Sequence, residues 1–275
     1  EYKNKGGYMP RPKKKGAVAT KDTNTEVAAL NIDSFLEQNA GDGSQNIGSN
    51  DLELPRLKLY HGNAKDAPDE ISKGEIYHNI THKIWKKSEG VKVIPCAFIK
   101  QYTHWKDIEK DGGFLGAYDS SSDILTKTKK VDAKDVFIEN GEMTDTYIRT
   151  DGNFFVLYED EPNIWKPAQI SMYSTNFKKA KLWNTMIKSQ IMEGKNGPFT
   201  PPAYAYIYNL KGEVVKKEAM SWAVWDISLE DSVKDVEVLQ DAKVFSQSVT
   251  KGEVVVKPEV EVAETSSDNE DSGMI

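Results

Sequence analysis

The sequence predicts a β-rich α+β fold, and three observations predict it. Short apolar runs of strand length recur between Gly, Pro and Asn turns from residue 54 to about 229. A single long segment carries a clear 3.6-residue apolar period. Residues 3–26 and 259–275 lack any apolar period and are rich in small and charged residues.

In chain order, residues 1–50 read as a disordered basic arm and linker. Between Glu1 and Leu30 stand seven basic residues against three acidic ones, and "GDGSQNIGSN" has linker composition. Within the arm, "VAALNIDSFLEQNA" has the spacing of a short helix. The body is expected over 51–245. Its strand-like runs are "GEIYHNIT", "GVKVIPCAFIKQYTHW", "DTYIRT", "NFFVLYE", "WKPAQISM", "PPAYAYIYNL", "GEVVKKEAM" and "SWAVWDISL". The helix is "STNFKKAKLWNTMIKSQIMEG": Phe177, Ala180, Trp183, Ile187 and Ile191 fall on one face. Ser174 or Thr175 is placed to cap it, and Gly194 to stop it. Several strands, one helix and further strands fit an OB-like Greek-key barrel with one main helix between its third and fourth strands. A generic β-rich α+β domain has the same order. Long insertions, such as 106–145, fall in its loops. Residues 230–260 are ambiguous, with a helix or strand near Val236–Phe245. Residues 246–275 read as a disordered acidic C-terminal tail, with seven acids against one lysine from Glu253 onward.

Composition excludes several functions. The chain has 275 residues and one cysteine, Cys96, so it can form neither an internal disulfide nor a CxxC zinc site. This fits a reducing cytoplasm. No apolar run reaches the length of a membrane span. No GxSxG, Walker A or GxGxxG motif is present. His78 and His82 are four apart, but the β-branched residues around them favour a strand, where they would stand ~13 Å apart and bind no common metal. No catalytic residue, metal or cofactor is expected.

Aromatics stand beside lysines repeatedly: Trp85 with Lys86 and Lys87; Lys100, Tyr102, Trp105 and Lys106; and Trp165 with Lys166. Single-strand binders need both groups, cations for phosphates and flat rings for bases. These nine residues are the candidate nucleic-acid contacts, although each Trp or Tyr equally suits a core. "MYSTNFKKAK" adds Tyr173, Lys178 and Lys179. Tyr204, Tyr206 and Tyr208, two apart, form a ladder that suits either a stacking platform or a core wall.

The stretches "LPRLKL", "GEIYHNIT", "VKVIPC" and "YTHW" resemble tailed-bacteriophage proteins, some of them single-stranded DNA-binding proteins, over Leu54 to about Leu229. The layout, a β-rich body followed by an acidic tail with an apolar tip, is similar to phage and bacterial single-strand binders. That resemblance implies sequence-nonspecific binding of single-stranded DNA by an OB-fold in DNA replication or recombination. It also implies that a tail carrying Glu264, Asp268, Glu270, Asp271, Met274 and Ile275 contacts phage replication or recombination proteins. The alternative is a phage structural or assembly protein that binds no nucleic acid.

Overall fold

The computed structural model describes residues 32–48, 51–107, 112–218, 220–254 and 256. The chain divides into two units, Glu1–Glu53 and Leu54–Ile275. In the first, residues 32–38 form an exposed helix, α1, inside the segment whose spacing predicts one. Most of the basic arm, and the tail residues Glu264 to Ile275, lie outside the described residues.

The second unit is β-rich with an OB-like half-barrel at its centre. Three short strands, β1 (Leu57–Leu59), β2 (Ile76–His78) and β3 (Ile84–Trp85), form a small antiparallel sheet. The main sheet is built on two long strands, β4 (Val91–Lys106) and β8 (Glu142–Glu161), antiparallel along most of their length. Between them lie β5 (Gly113–Asp119) and the hairpin β6 (Thr128–Val131) and β7 (Lys134–Glu139). β9 (Ile164–Tyr173) returns beside β8, and helix α2 (Phe177–Lys188) follows. After the hairpin β10 (Met192–Gly194) and β11 (Gly197–Phe199) come β12 (Tyr206–Lys217), β13 (Met220–Ser232) and helix α3 (Val236–Thr250).

Leaving out insertions, the barrel strands lie in the order β9, β8, β4, β12, β13. The helix sits between the third and fourth of them in sequence, as the OB-type reading expects. The 106–145 insertion extends β4 and β8 into an arm with its own small core of Tyr102, Ile124 and Ile148.

The barrel is curled but not closed by hydrogen bonds between β9 and β13. Other groups occupy that seam. The Gln169 N–H donates to the Pro55 carbonyl, and β1 packs on both edge strands. Asn176, just before α2, spans two backbone groups of β13: its amide donates to the Ala223 carbonyl (3.3 Å) and its oxygen accepts from the Trp225 N–H (2.9 Å). Asn176 therefore does not cap α2 with its side chain, and neither Ser174 nor Thr175 takes that part.

The main core joins the inner face of the barrel strands to β1–β3 and α2, through Leu57, Ile76, Phe154, Ile170, Trp183, Tyr208 and Trp225. A second cluster lies on the opposite face of β4 and β8, where Ala242 of α3 covers Ile94, Cys96 and Leu157. Burial there pushes the Cys96 thiol up to about 12.

Several expectations need correction. The helix ends at Lys188, so Ile191 lies past its end and is 67% exposed. The residues after it turn back through Lys195-Asn196 into β11, where Gly197 takes a positive φ (106°) that few other residues adopt. Tyr204 falls in a 3-10 turn, so the tyrosine ladder is broken; Tyr208 is a core residue and Tyr206 packs against the same core. α3 continues to Thr250, past the expected end of the body at 245. Among the described residues no helix is long and apolar enough to cross a membrane.

His78 and His82 are not on one strand. β2 ends at His78, and a tight turn with His82 at positive φ returns the chain. The buried His78 Nδ1 accepts from the N–H groups of Ile80 (3.2 Å) and Thr81 (3.1 Å), which requires that nitrogen unprotonated. Burial lowers the His78 pKa, reinforced by Lys166, His82 and Lys83 and opposed by Asp160. An unfolded histidine takes its proton near pH 6.5, whereas the folded one resists until lower pH. The stability it contributes is therefore present above about pH 6.5 and lost as pH falls through the lowered folded value. His104, also lowered by burial, adds in the same direction. The melting temperature is expected to drop between pH 7 and pH 5, with a shallower drop in His104→Asn. A melting temperature unchanged over that range would refute the assignment.

Candidate nucleic-acid interface

Side chains alternate along β4 without interruption from Ala97 to Lys106 against β8. Phe98, Lys100, Tyr102, His104 and Lys106 therefore share one face, and Trp105 lies on the other.

The Phe98 end of this row meets α2. Gly152 of β8, two residues from Phe154, makes the meeting possible. A Cβ at Gly152 would lie 3.1 Å from the Phe98 ring, 3.2 Å from Ala180 and 3.4 Å from the Phe177 ring. Without one, both phenylalanines and the helix close over the strand. Phe98 remains 36% exposed while packing on Phe154, with ring centroids 4.8 Å apart. Phe177 is half-buried.

Two lysines are seated on rings around this pair. Lys181 Nζ lies 5.2 Å from the Phe177 centroid. Lys100 Nζ lies 4.9 Å from the Tyr102 centroid and donates to the Tyr102 hydroxyl at 2.9 Å. Among the described residues neither lysine has a carboxylate partner; the ion pairs lie elsewhere. The first turn of α2 holds no acid and instead carries Lys178 and Lys179. Cations at that end oppose the helix dipole. A local preference broken in this way commonly marks a functional surface. The patch thus combines exposed aromatic surface with unneutralised positive charge.

The other sequence candidates are dispersed. Trp85 is 8% exposed and sits in the main core, edge-on to Tyr158 at 5.7 Å. Lys86 pairs with Glu75 at 3.3 Å, and Lys87 is exposed beside it. Trp165 is half-buried against the cluster under α3. Lys166 pairs with Asp160 at 2.6 Å, and Asp160 also pairs with Lys83. The Lys166 hydrogen bond holds the Asp160 carboxyl below its usual range, opposed by burial and helped by Lys83. That end of the barrel is acidic, with Glu159, Asp160, Glu161 and Glu230 close to Lys83, Lys92 and Lys166. Phosphate has no unneutralised cation to meet at Lys86 or Lys166.

Trp105 is 3% exposed. Its indole N–H donates to Thr103 Oγ1 at 2.7 Å, and the Arg149 guanidinium lies 4.6 Å from its ring and 3.8 Å from that of Tyr173. Asp151 completes the group, accepting from Arg149 at 2.7 and 3.0 Å and from Thr103 at 3.0 Å. These groups satisfy one another. Trp85, Tyr102 and Trp105 are thus buried where a stacking role asks for an open ring face. The physical reason is that large aromatics bury first wherever an apolar face is available.

Lys100, Tyr102 and Lys106 are the sequence candidates brought together on one face. Phe98, Phe177 and Lys181, which join them in the patch, were not among the sequence candidates. The period-two series Phe98-Lys100-Tyr102 was readable; the approach of Phe177 was not, because it depends on Gly152.

The model of the Pam3 phage gp34-like protein family matches residues 22–255. No curated protein and no solved structure matches.

Proposed function

The chain belongs to the Pam3 phage gp34-like protein family, and from that premise we propose that this phage protein binds single-stranded DNA without sequence preference. It acts in the host cytoplasm, in DNA replication or recombination, by binding and not by chemistry. The observation that supports this reading is the patch on β4 and α2: Phe98 and Phe177 offer ring surface, and Lys100 and Lys181 supply charge without a carboxylate partner. Rings stack on bases of any identity, and lysines follow phosphates of any sequence. The OB-like strand order agrees with it, since such barrels often hold oligonucleotides. The acidic segment carrying Glu264, Asp268, Glu270, Asp271, Met274 and Ile275 contacts phage replication or recombination proteins in this reading.

Fluorescence anisotropy with labelled oligo-dT at low salt tests it. The wild type is expected to bind, with affinity falling steeply as salt rises. Phe98→Ala is expected to weaken binding by one stacking contribution, about 1–3 kcal/mol, with its melting temperature recorded alongside. A wild type that leaves oligo-dT unbound at low salt rejects the proposal.

A second reading, a structural or assembly protein, draws on one observation. Ile191 and Phe199 beside the β10–β11 hairpin are 67% and 46% exposed. A protein partner would cover them. Co-sedimentation with phage particles, lost in Phe199→Asp, would favour this reading.

A further inference from the structure

We infer that the arm built on β6 and β7 is a second phosphate-contacting surface for the same single strand, with Lys127 and Lys130 as its contacts. This rests on the nucleic-acid reading above and extends it to a part of the molecule with no aromatic-lysine pairing in its sequence.

The inference starts from Tyr102. Its ring carries Lys100 on one side, and it is also a core residue of the arm, packed with Ile124, Ile148, Leu125 and Phe137. The arm is therefore fixed against the Phe98–Lys100 row. Ile124 opens a 3-10 turn, Ile124–Lys127, that ends on exposed Lys127. β6 follows at once, and its register against β7 pairs Thr128 with Phe137, Lys129 with Val136 and Lys130 with Asp135. Cross-strand partners share a face. Phe137 packs against His104 at 4.9 Å, on the Tyr102 face of β4. Thr128 and Lys130 thus belong to that face, and Lys129 to the opposite one.

Lys127, Lys129 and Lys130 are exposed, and among the described residues none has an ion-pair partner; Asp135 stands opposite Lys130 without bonding it. Lys106 completes the same face of β4. Phe98 to Lys106 spans ~26 Å of strand. The face therefore presents positive charge from Lys181 of α2 through Lys100 and Lys106 to Lys130, and exposed Lys127 stands at the end of the turn that leads into β6. The partner it fits is an extended polyanion that crosses β4 and reaches the arm. Insertions between the first two strands of OB barrels are suitably placed to hold a ligand.

The test compares Lys127→Ala/Lys130→Ala with Lys129→Ala, titrating a labelled dT oligomer against salt. Each phosphate contact on a single strand contributes about 0.7 to the slope of log affinity against log salt. The double variant is expected to lower the slope by about 1.4 and Lys129→Ala to leave it unchanged, with all three proteins melting alike. A double variant with the wild-type slope overturns the arm contact while leaving the β4–α2 site standing. An equal loss in Lys129→Ala overturns the assignment of faces. A wild type that does not bind the oligomer overturns both this inference and the reading it rests on.

Discussion

Trp183→Ala is expected to cost about 3–5 kcal/mol, the range for removing a large buried aromatic. Trp183 is fully buried, stacked on Phe154 at 4.1 Å and edge-on to Tyr208 at 5.8 Å. It is the plug with which α2 closes the end of the half-barrel. Nothing nearby can fill its volume without moving the helix, because Ala180 already lies close to Gly152. Trp183→Phe should recover much of the loss. The indole N–H has no hydrogen-bond partner among the described residues, so phenylalanine removes an unsatisfied buried donor while keeping most of the apolar contact. Urea denaturation at neutral pH measures both. A loss below about 1 kcal/mol for the alanine variant would show that α2 does not hold the barrel through this residue. Since Phe177 and Lys181 ride on α2, the same variant should also weaken oligo-dT binding.

Asp151→Ala should destabilise by a comparable amount, about 3–5 kcal/mol, for an electrostatic reason. Asp151 and Arg149 are 1% and 7% exposed, and their contacts are short and bidentate. Removing the carboxylate takes the short bidentate partner from a guanidinium held between two rings and one acceptor from the Thr103 hydroxyl. Arg149→Met in the same chain should return part of the loss, because a buried charge without its counter-charge costs more than an apolar side chain there. The double-variant cycle separates the two contributions. Additive losses from Asp151→Ala and Arg149→Met would mean that the pair is not coupled.

The fold was largely legible where local signals agree with the tertiary result. Strand runs separated by turns, and a helix between the third and fourth barrel strands, gave the barrel order. Boundaries failed where long-range contacts override local preference. "DTYIRT" and "NFFVLYE" join as one strand through Gly152, because β4 pairs with the whole length of β8. Helical spacing alone carried α2 to Gly194, yet the turn at Lys195-Asn196, with Gly197 at positive φ, drew Met192 and Phe199 into a hairpin. The site was legible only in part. A lysine next to an aromatic in sequence points to the opposite face of a strand, so Trp85 and Trp165 turned inward while Lys86 and Lys166 found carboxylates. Lysines two residues from a ring, as at Lys100 and Tyr102, share its face.

The filled seam between β9 and β13 has a consequence for how the chain folds. β1 and β2 are made early, but their resting place does not exist until the last barrel strands arrive. A Cβ on Gly212 would lie 2.0 Å from the Gly74 carbonyl oxygen, so the two backbones cross almost in contact. During synthesis Leu57, Leu59 and Ile76 must wait for β12 and β13. Contacts between segments so distant in sequence slow folding, since the intervening loop must close before they form. Seam closure is therefore the expected late step of folding.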